Sequence, residues 1–166
     1  MELYLASEDA QTDCGRALAE RFSGQAGVVF LRGDLGAGKT TLVRGLLRGL
    51  GHEGPVRSPT YTLIEPYEVA GQRLYHLDLY RLGDPEELEF LGLRDLLDGE
   101  ALLLVEWPER GIGVLPEPEL IIDIAHAPPG RRIRFLPGPA WDSTTRGPFA
   151  FNDETREKRE NAQDTG

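Results

Sequence analysis

Val28-Val29-Phe30-Leu31 is a short unbroken apolar run, and beyond the turn residues that follow it Leu42, Val43, Leu46, Leu47 and Leu50 recur three and four apart. The first pattern predicts a buried strand and the second predicts one face of a helix. Gly51 stands where that helix needs a left-handed C-cap. Gly45 and Gly49 sit one turn apart inside it at a cost in helix propensity, and close packing against another element is the expected compensation. Upstream, Ser7 predicts the N-cap of a helix over Glu8 to Phe22, with Ala10, Cys14, Ala17, Leu18 and Phe22 on its apolar face. Downstream, Tyr61 to Val69 and Arg73 to Tyr80 predict two strands joined in a hairpin at Ala70-Gly71-Gln72. In the second of these, Tyr75, Leu77 and Leu79 share one face and His76, Asp78 and Tyr80 the other. Asp84 and Pro85 predict the cap and first position of a further helix. Ala101 to Val105 reads as a buried strand, and Leu120 to Ala125 with Arg132 to Phe135 as a last hairpin around Pro128-Pro129-Gly130. After Pro137 the apolar period is lost. Residues 1–137 therefore predict one domain, and 138–166 a polar, mobile tail in which Trp141, Phe149 and Phe151 are the exceptions.

Composition narrows the class. With 166 residues, of which 40% are hydrophobic, the chain can build one domain with its own core. No apolar run approaches the ~20 residues needed to span a bilayer, and Met1-Glu2-Leu3-Tyr4 lacks the basic and apolar regions of a signal peptide. The one cysteine, Cys14, excludes an internal disulfide and a cysteine metal site, which points to a cytoplasmic protein. A net charge of −10 opposes direct binding to a nucleic-acid duplex. Arg131-Arg132-Ile133-Arg134 is short, and on a strand its side chains alternate between faces.

Between the first strand and its helix lies Gly33-Asp34-Leu35-Gly36-Ala37-Gly38-Lys39-Thr40, a full G-x-x-x-x-G-K-[ST] P-loop. Its glycines let backbone N–H groups turn inward onto phosphate oxygens, and the helix N-terminus adds its dipole. Lys39 is expected to reach the β- and γ-phosphates and Thr40 to place its hydroxyl on Mg²⁺. Such a loop needs acids at the carboxyl ends of nearby strands. Glu106, directly after Leu102-Leu103-Leu104-Val105, is a Walker B candidate. Asp78, on the polar face of its strand, is the candidate for orienting the attacking water. His76 reads as a satisfied structural histidine rather than a ligand, and the spacing of the histidines argues against zinc. Ser58-Pro59-Thr60-Tyr61-Thr62 is a stiffened, hydroxyl-rich loop, either a γ-phosphate sensor or an ordinary turn.

Taken together, GDLGAGKTT from Gly33, SPTYT from Ser58, HLDLYRL from His76, EELEFLG from Glu86 and VEWP from Val105 resemble, in the same order, the bacterial TsaE family, also called YjeE. The likeness extends over about residues 1–136. It implies a P-loop α/β three-layer sandwich with a mixed parallel and antiparallel sheet. It also implies an ATPase required for the threonylcarbamoyladenosine modification of tRNAs reading ANN codons. Such proteins act on the complex of TsaB with TsaD, the transferase, and reach tRNA only indirectly. The resemblance implies that Gly36, Ala37, Gly38, Lys39, Thr40 and Thr41 bind the phosphates of ATP and that Thr40 and Glu106 ligate Mg²⁺. Asp78 would serve the attacking water, with Lys39 and Glu106 completing the catalytic set. Ser58, Pro59 and Thr60 would form a switch-like segment. Trp107 would lie beside the nucleotide, and Ser7, Glu8, Thr12 and Arg131 near its base.

Two other classes compete. A small-molecule kinase needs an arginine-rich lid, whereas Leu82 to Asp98 is acidic and leucine-rich and reads as a docking helix. A non-catalytic, ATP-gated binding module would keep its partner activity without hydrolysis. No arginine finger is placed by motif, although Arg57 and Arg81 are candidates in cis.

Overall fold

The computed structural model describes residues 1–140. Its elements run β1 (Glu2–Leu5), α1 (Glu8–Phe22), β2 (Gly27–Arg32), α2 (Lys39–Leu50), β3 (Ile64–Val69), β4 (Gln72–Asp78), α3 (Glu87–Phe90), α4 (Leu93–Leu96) and β5 (Leu102–Glu106). A 3-10 turn (Pro108–Gly111), β6 (Leu120–Ala127) and β7 (Gly130–Pro137) follow. The strands form a seven-stranded sheet in the order β1-β7-β6-β2-β5-β4-β3. The centre is parallel, β2 lying between β5 and β6 with β4 beyond β5. Both margins are antiparallel hairpins, β3–β4 and β6–β7, and β1 adds to β7. The fold is thus α/β with a mixed sheet.

Strand alternation sends side chains to two cores. On one face Val29, Leu31, Leu74, Leu102 and Leu104 pack with Leu18 and Phe22 of α1 and Leu42, Val43, Leu46 and Leu47 of α2. On the other, Val28, Leu77, Leu103 and Val105 meet Leu79, Leu82, Leu88 and Leu93 from the segment around α3 and α4. This makes three layers, the second face being covered by single helical turns.

The glycines inside α2 have the expected partner. A Cβ on Gly45 would collide with the Thr12 carbonyl oxygen, and one on Gly49 would lie 2.6 Å from the Ala19 Cβ. Gly15 of α1 meets the Leu42 carbonyl in the same way, so the two helices cross with backbone against backbone. Gly45→Ala is therefore expected to lower stability by about 1–3 kcal/mol through overpacking, read as a lower Tm. An unchanged Tm would show that the helices can part there.

Several boundaries differ from the sequence reading. β3 begins at Ile64 rather than Tyr61, because the chain first turns, with the Leu63 N–H donating to the Pro59 carbonyl at 2.8 Å. β4 ends at Asp78 rather than Tyr80. Asp84 and Pro85 do not open the helix: it starts at Glu87 with Glu86 at the cap and no side-chain cap bond, because Asp84 Oδ1 accepts from the Glu86 N–H at 2.9 Å in the turn before it. The expected helix then splits at Gly92, which is left-handed at φ 82°. On α1 Leu18 and Phe22 are buried as expected and Cys14 is half-buried against the same core, but Ala17 is exposed, and Gln11, Gly15 and Ala19 complete the buried face. Burial pushes the Cys14 thiol up. The last hairpin is longer than expected, and β1 was not anticipated at all. The proposed docking of Trp141, Phe149 and Phe151 lies outside the described residues, as does the tail from residue 141. Among the described residues no helix is long and apolar enough to cross a membrane.

Candidate functional site

The carboxyl ends of β2, β4 and β5 lie side by side, with Asp78 paired in register with Glu106 and Leu31 with Glu106 on the other side. In open α/β sheets this edge, where connections leave in different directions, is where ligands bind. The loop from β2 to α2 curls over it, with Gly36 and Gly38 left-handed at φ 75° and 104°. A cavity of about 470 Å³ opens there, lined by Gly36, Gly38, Lys39, Thr40, Thr41, Ser58, Thr60, Asp78, Arg81, Glu106 and Trp107, with Leu35 and Tyr80.

Lys39 opens α2 and is buried. Its ammonium donates to the Gly33 and Asp34 carbonyls at 2.5 and 2.9 Å and lies 4.3 Å from the Trp107 ring centroid. Burial pulls the Lys39 amine down, against the opposing pull of the Glu106 and Asp78 carboxylates. Trp107 reaches that position from a left-handed backbone at φ 55°, a conformation that costs a non-glycine residue about 1–3 kcal/mol. Tyr80 supports the indole, with ring centroids 5.0 Å apart.

Glu106, 2% exposed, ends β5 beneath the helix start. Its Oε1 accepts from the Thr40 hydroxyl at 2.9 Å and lies 3.1 Å from His76 Nε2. Asp78 accepts from the Tyr80 N–H through Oδ1 at 3.1 Å, and Ser58 Oγ stands 3.4 Å from its Oδ2. Burial pushes the Asp78 carboxyl up; the Tyr80 N–H works in the opposite direction. Ser58 and Thr60 hydroxyls are 2.9 Å apart, which ties the hydroxyl-rich loop to this cluster.

A second, smaller cavity of about 220 Å³ adjoins the other side of the loop, lined by Ser7, Glu8, Gln11, Thr41 and Arg131 among others. Arg131 Nε donates to the Ala37 carbonyl at 3.1 Å. Ser7 caps α1 through the Ala10 N–H. Thr12 lines neither cavity; its hydroxyl bonds back to the Glu8 carbonyl at 3.2 Å. Arg57 also lies off the main cavity, whereas Arg81 lines it with its guanidinium 4.5 Å from the Tyr61 ring centroid.

Gln11 escaped the sequence reading. It is 4% exposed, donates to the Ala37 carbonyl at 3.1 Å and occupies the space a Gly38 Cβ would need. Its signal was present: it stands one turn before Gly15 on the face α1 buries.

The side-chain oxygens lining the main cavity include the hydroxyls of Thr40, Thr41, Ser58 and Thr60 and the carboxylates of Asp78 and Glu106. Hard oxygens of this kind suit Mg²⁺, which dehydrates reluctantly and is held by one or two protein oxygens together with substrate phosphates. Among the described residues no group of three or more His, Cys, Asp or Glu could hold a metal ion by itself.

A family model described as "Threonylcarbamoyl adenosine biosynthesis protein TsaE" matches residues 5–133. The tRNA threonylcarbamoyladenosine biosynthesis protein TsaE of Haemophilus influenzae is 47% identical over 137 residues, spanning 80% of this chain and 87% of its own. The Bacillus subtilis protein of that name is 43% identical over 110 residues, 66% of this chain and 68% of its own. The crystal structure of Bacillus subtilis YdiB superposes with a TM-score of 0.68 at 32% identity, over 82% of this chain and 84% of that one.

Proposed function

The chain belongs to the TsaE family of tRNA threonylcarbamoyladenosine biosynthesis proteins, and from that premise we propose that it is a Mg²⁺-dependent ATPase whose cycle acts on the TsaB–TsaD complex. The observation that carries this reading is the convergence of Lys39, Thr40, Asp78 and Glu106 on one cavity under a glycine loop. The Gly36-Ala37-Gly38 backbone and the α2 N-terminus favour the β- and γ-phosphates. Lys39, held beside the loop by two carbonyls, adds a positive charge over the same oxygens. Thr40 and Glu106 would hold Mg²⁺, which when bound would withdraw charge from the phosphates. Asp78 faces the cavity as a carboxylate within reach of an attacking water, which it orients and whose proton it accepts. Arg81, at the rim, is a cis cation for charge developing on the transferred phosphoryl group. Trp107 packs on Lys39 and shields it from solvent. The adjoining cavity, with Ser7, Glu8 and Arg131, is the place for the nucleoside.

The transfer of threonylcarbamoyl is left to TsaD, and tRNA is met through the partner complex, in keeping with the net charge of −10. The working place is the cytoplasm. Hydrolysis alone is slow in this reading, since the partner completes the site.

Calorimetric titration with ATP, with and without Mg²⁺, tests it. The parent is expected to bind more tightly with Mg²⁺. In Glu106→Ala that Mg²⁺-dependent gain should fall about tenfold or more. An identical Mg²⁺ dependence in parent and variant would remove Glu106 from the metal site.

A further inference from the structure

We propose that His76 is a positioning residue for Glu106, fixing the carboxylate rotamer that serves the divalent cation. This rests on the nucleotide reading above and adds to it a residue that does not line the cavity.

His76 and Asp78 are two apart on β4, hence on one face, and in the parallel pairing with β5 His76 lies opposite Leu104 while Asp78 lies opposite Glu106. The Glu106 side chain, at the end of β5, is therefore met from two directions. Thr40 Oγ1 donates to its Oε1 from α2 at 2.9 Å, and His76 Nε2 reaches the same oxygen from β4 at 3.1 Å. A glutamate has three rotatable bonds, and without such restraints its carboxylate would sample several positions.

A carboxylate oxygen only accepts, so Nε2 carries the hydrogen that meets Glu106, and Nδ1 is the other polar atom of the ring. That Nδ1 is buried with no hydrogen-bond partner among the described residues. The residue is 1% exposed, and Leu74, Leu102 and Leu104 around the same face are apolar. Packing alone would be better met there by another apolar side chain, which leaves no polar atom unsatisfied. What the imidazole offers, and leucine cannot, is the Nε2 donor to Glu106. Partners that orient a metal ligand in this way change metal affinity by about 10–100-fold when removed.

The test compares three replacements by calorimetry with a non-hydrolysable ATP analogue, with and without Mg²⁺. In His76→Gln the amide nitrogen takes the place of Nε2. In His76→Asn it takes the place of Nδ1 and falls short of Glu106. His76→Leu removes both nitrogens. The Mg²⁺-dependent gain in affinity is expected to fall about tenfold in His76→Asn and His76→Leu and to return to within about threefold of the parent in His76→Gln. Binding without Mg²⁺, which uses the glycine loop and Lys39, stays unchanged in all three. If His76→Leu does not fold, the Gln and Asn pair carries the same contrast. Equal Mg²⁺ gains in Asn and Gln variants overturn the proposal, as does a loss equal with and without Mg²⁺, which marks a structural role. A parent with no Mg²⁺ gain would instead overturn the nucleotide reading, and the proposal with it.

Discussion

Asp78→Asn will lower ATP turnover about a hundredfold or more while leaving analogue binding within about threefold of the parent. The substitution keeps the shape of the side chain and its Oδ1 contact with the Tyr80 N–H, so the turn after β4 is preserved. What it removes is the negative acceptor facing the cavity between Ser58 and Glu106. Asp78 contributes no backbone or side-chain donor to the phosphates, so the ground-state complex should form normally. The attacking water, however, loses the group that orients it and takes its proton. Single-turnover hydrolysis beside equilibrium binding separates the two effects. Unaltered turnover would take Asp78 out of the chemistry. A matching loss in binding would make it a structural prop for the loop. The same variant distinguishes a hydrolytic cycle from an ATP gate, since a gate would still stimulate its partner.

Lys39→Ala should weaken ATP binding by roughly tenfold to a hundredfold, the worth of a charge-assisted hydrogen bond to phosphate. The ammonium is 4.3 Å from the Trp107 ring and bonded to two loop carbonyls, so it is already aimed along the cavity wall and needs no long excursion. Loss of those carbonyl contacts also loosens the loop itself. Lys39→Met, which keeps the apolar stem against Trp107 but has no ammonium, separates loss of the ammonium from loss of packing. Both variants should lose affinity if charge is the cause, whereas recovery in Lys39→Met would trace the loss to packing.

Much of this arrangement was legible from sequence because it is encoded locally. The glycine loop, the strand before it and the helix after it are contiguous, and their periodicities change from an apolar run to a helical repeat at the motif itself. The Gly45 and Gly49 pair announced a close helix crossing, though not its partner; that required the backbone of α1 to be placed over α2. Glu106 and Asp78 could be named from strand-end position and alternation. That they stand in register depends on β4 and β5 being parallel neighbours, which residue spacing does not specify.

The misses have physical reasons. β1 is four residues long and exposed along most of its length, so it carries little hydrophobic signal. It exists because β7 offers an open edge for it to pair with. The helix expected from Asp84 breaks because Gly92 takes a left-handed backbone, after which Leu93 turns back into the core. Gln11 reads as an ordinary polar position until the loop carbonyl of Ala37 is placed against it. His76 reads from sequence as a satisfied structural histidine, whereas only its Nε2 has a partner, Glu106, thirty positions away on another strand, and its Nδ1 has none among the described residues.

The most direct test of the central claim is ATP hydrolysis by the purified chain with Mg²⁺, measured alone and again with TsaB and TsaD from the same source. The account predicts slow turnover alone and a marked increase with the pair, both rates lowered about a hundredfold or more by Asp78→Asn. A folded chain that binds ATP yet hydrolyses none of it, with or without the pair, would contradict it.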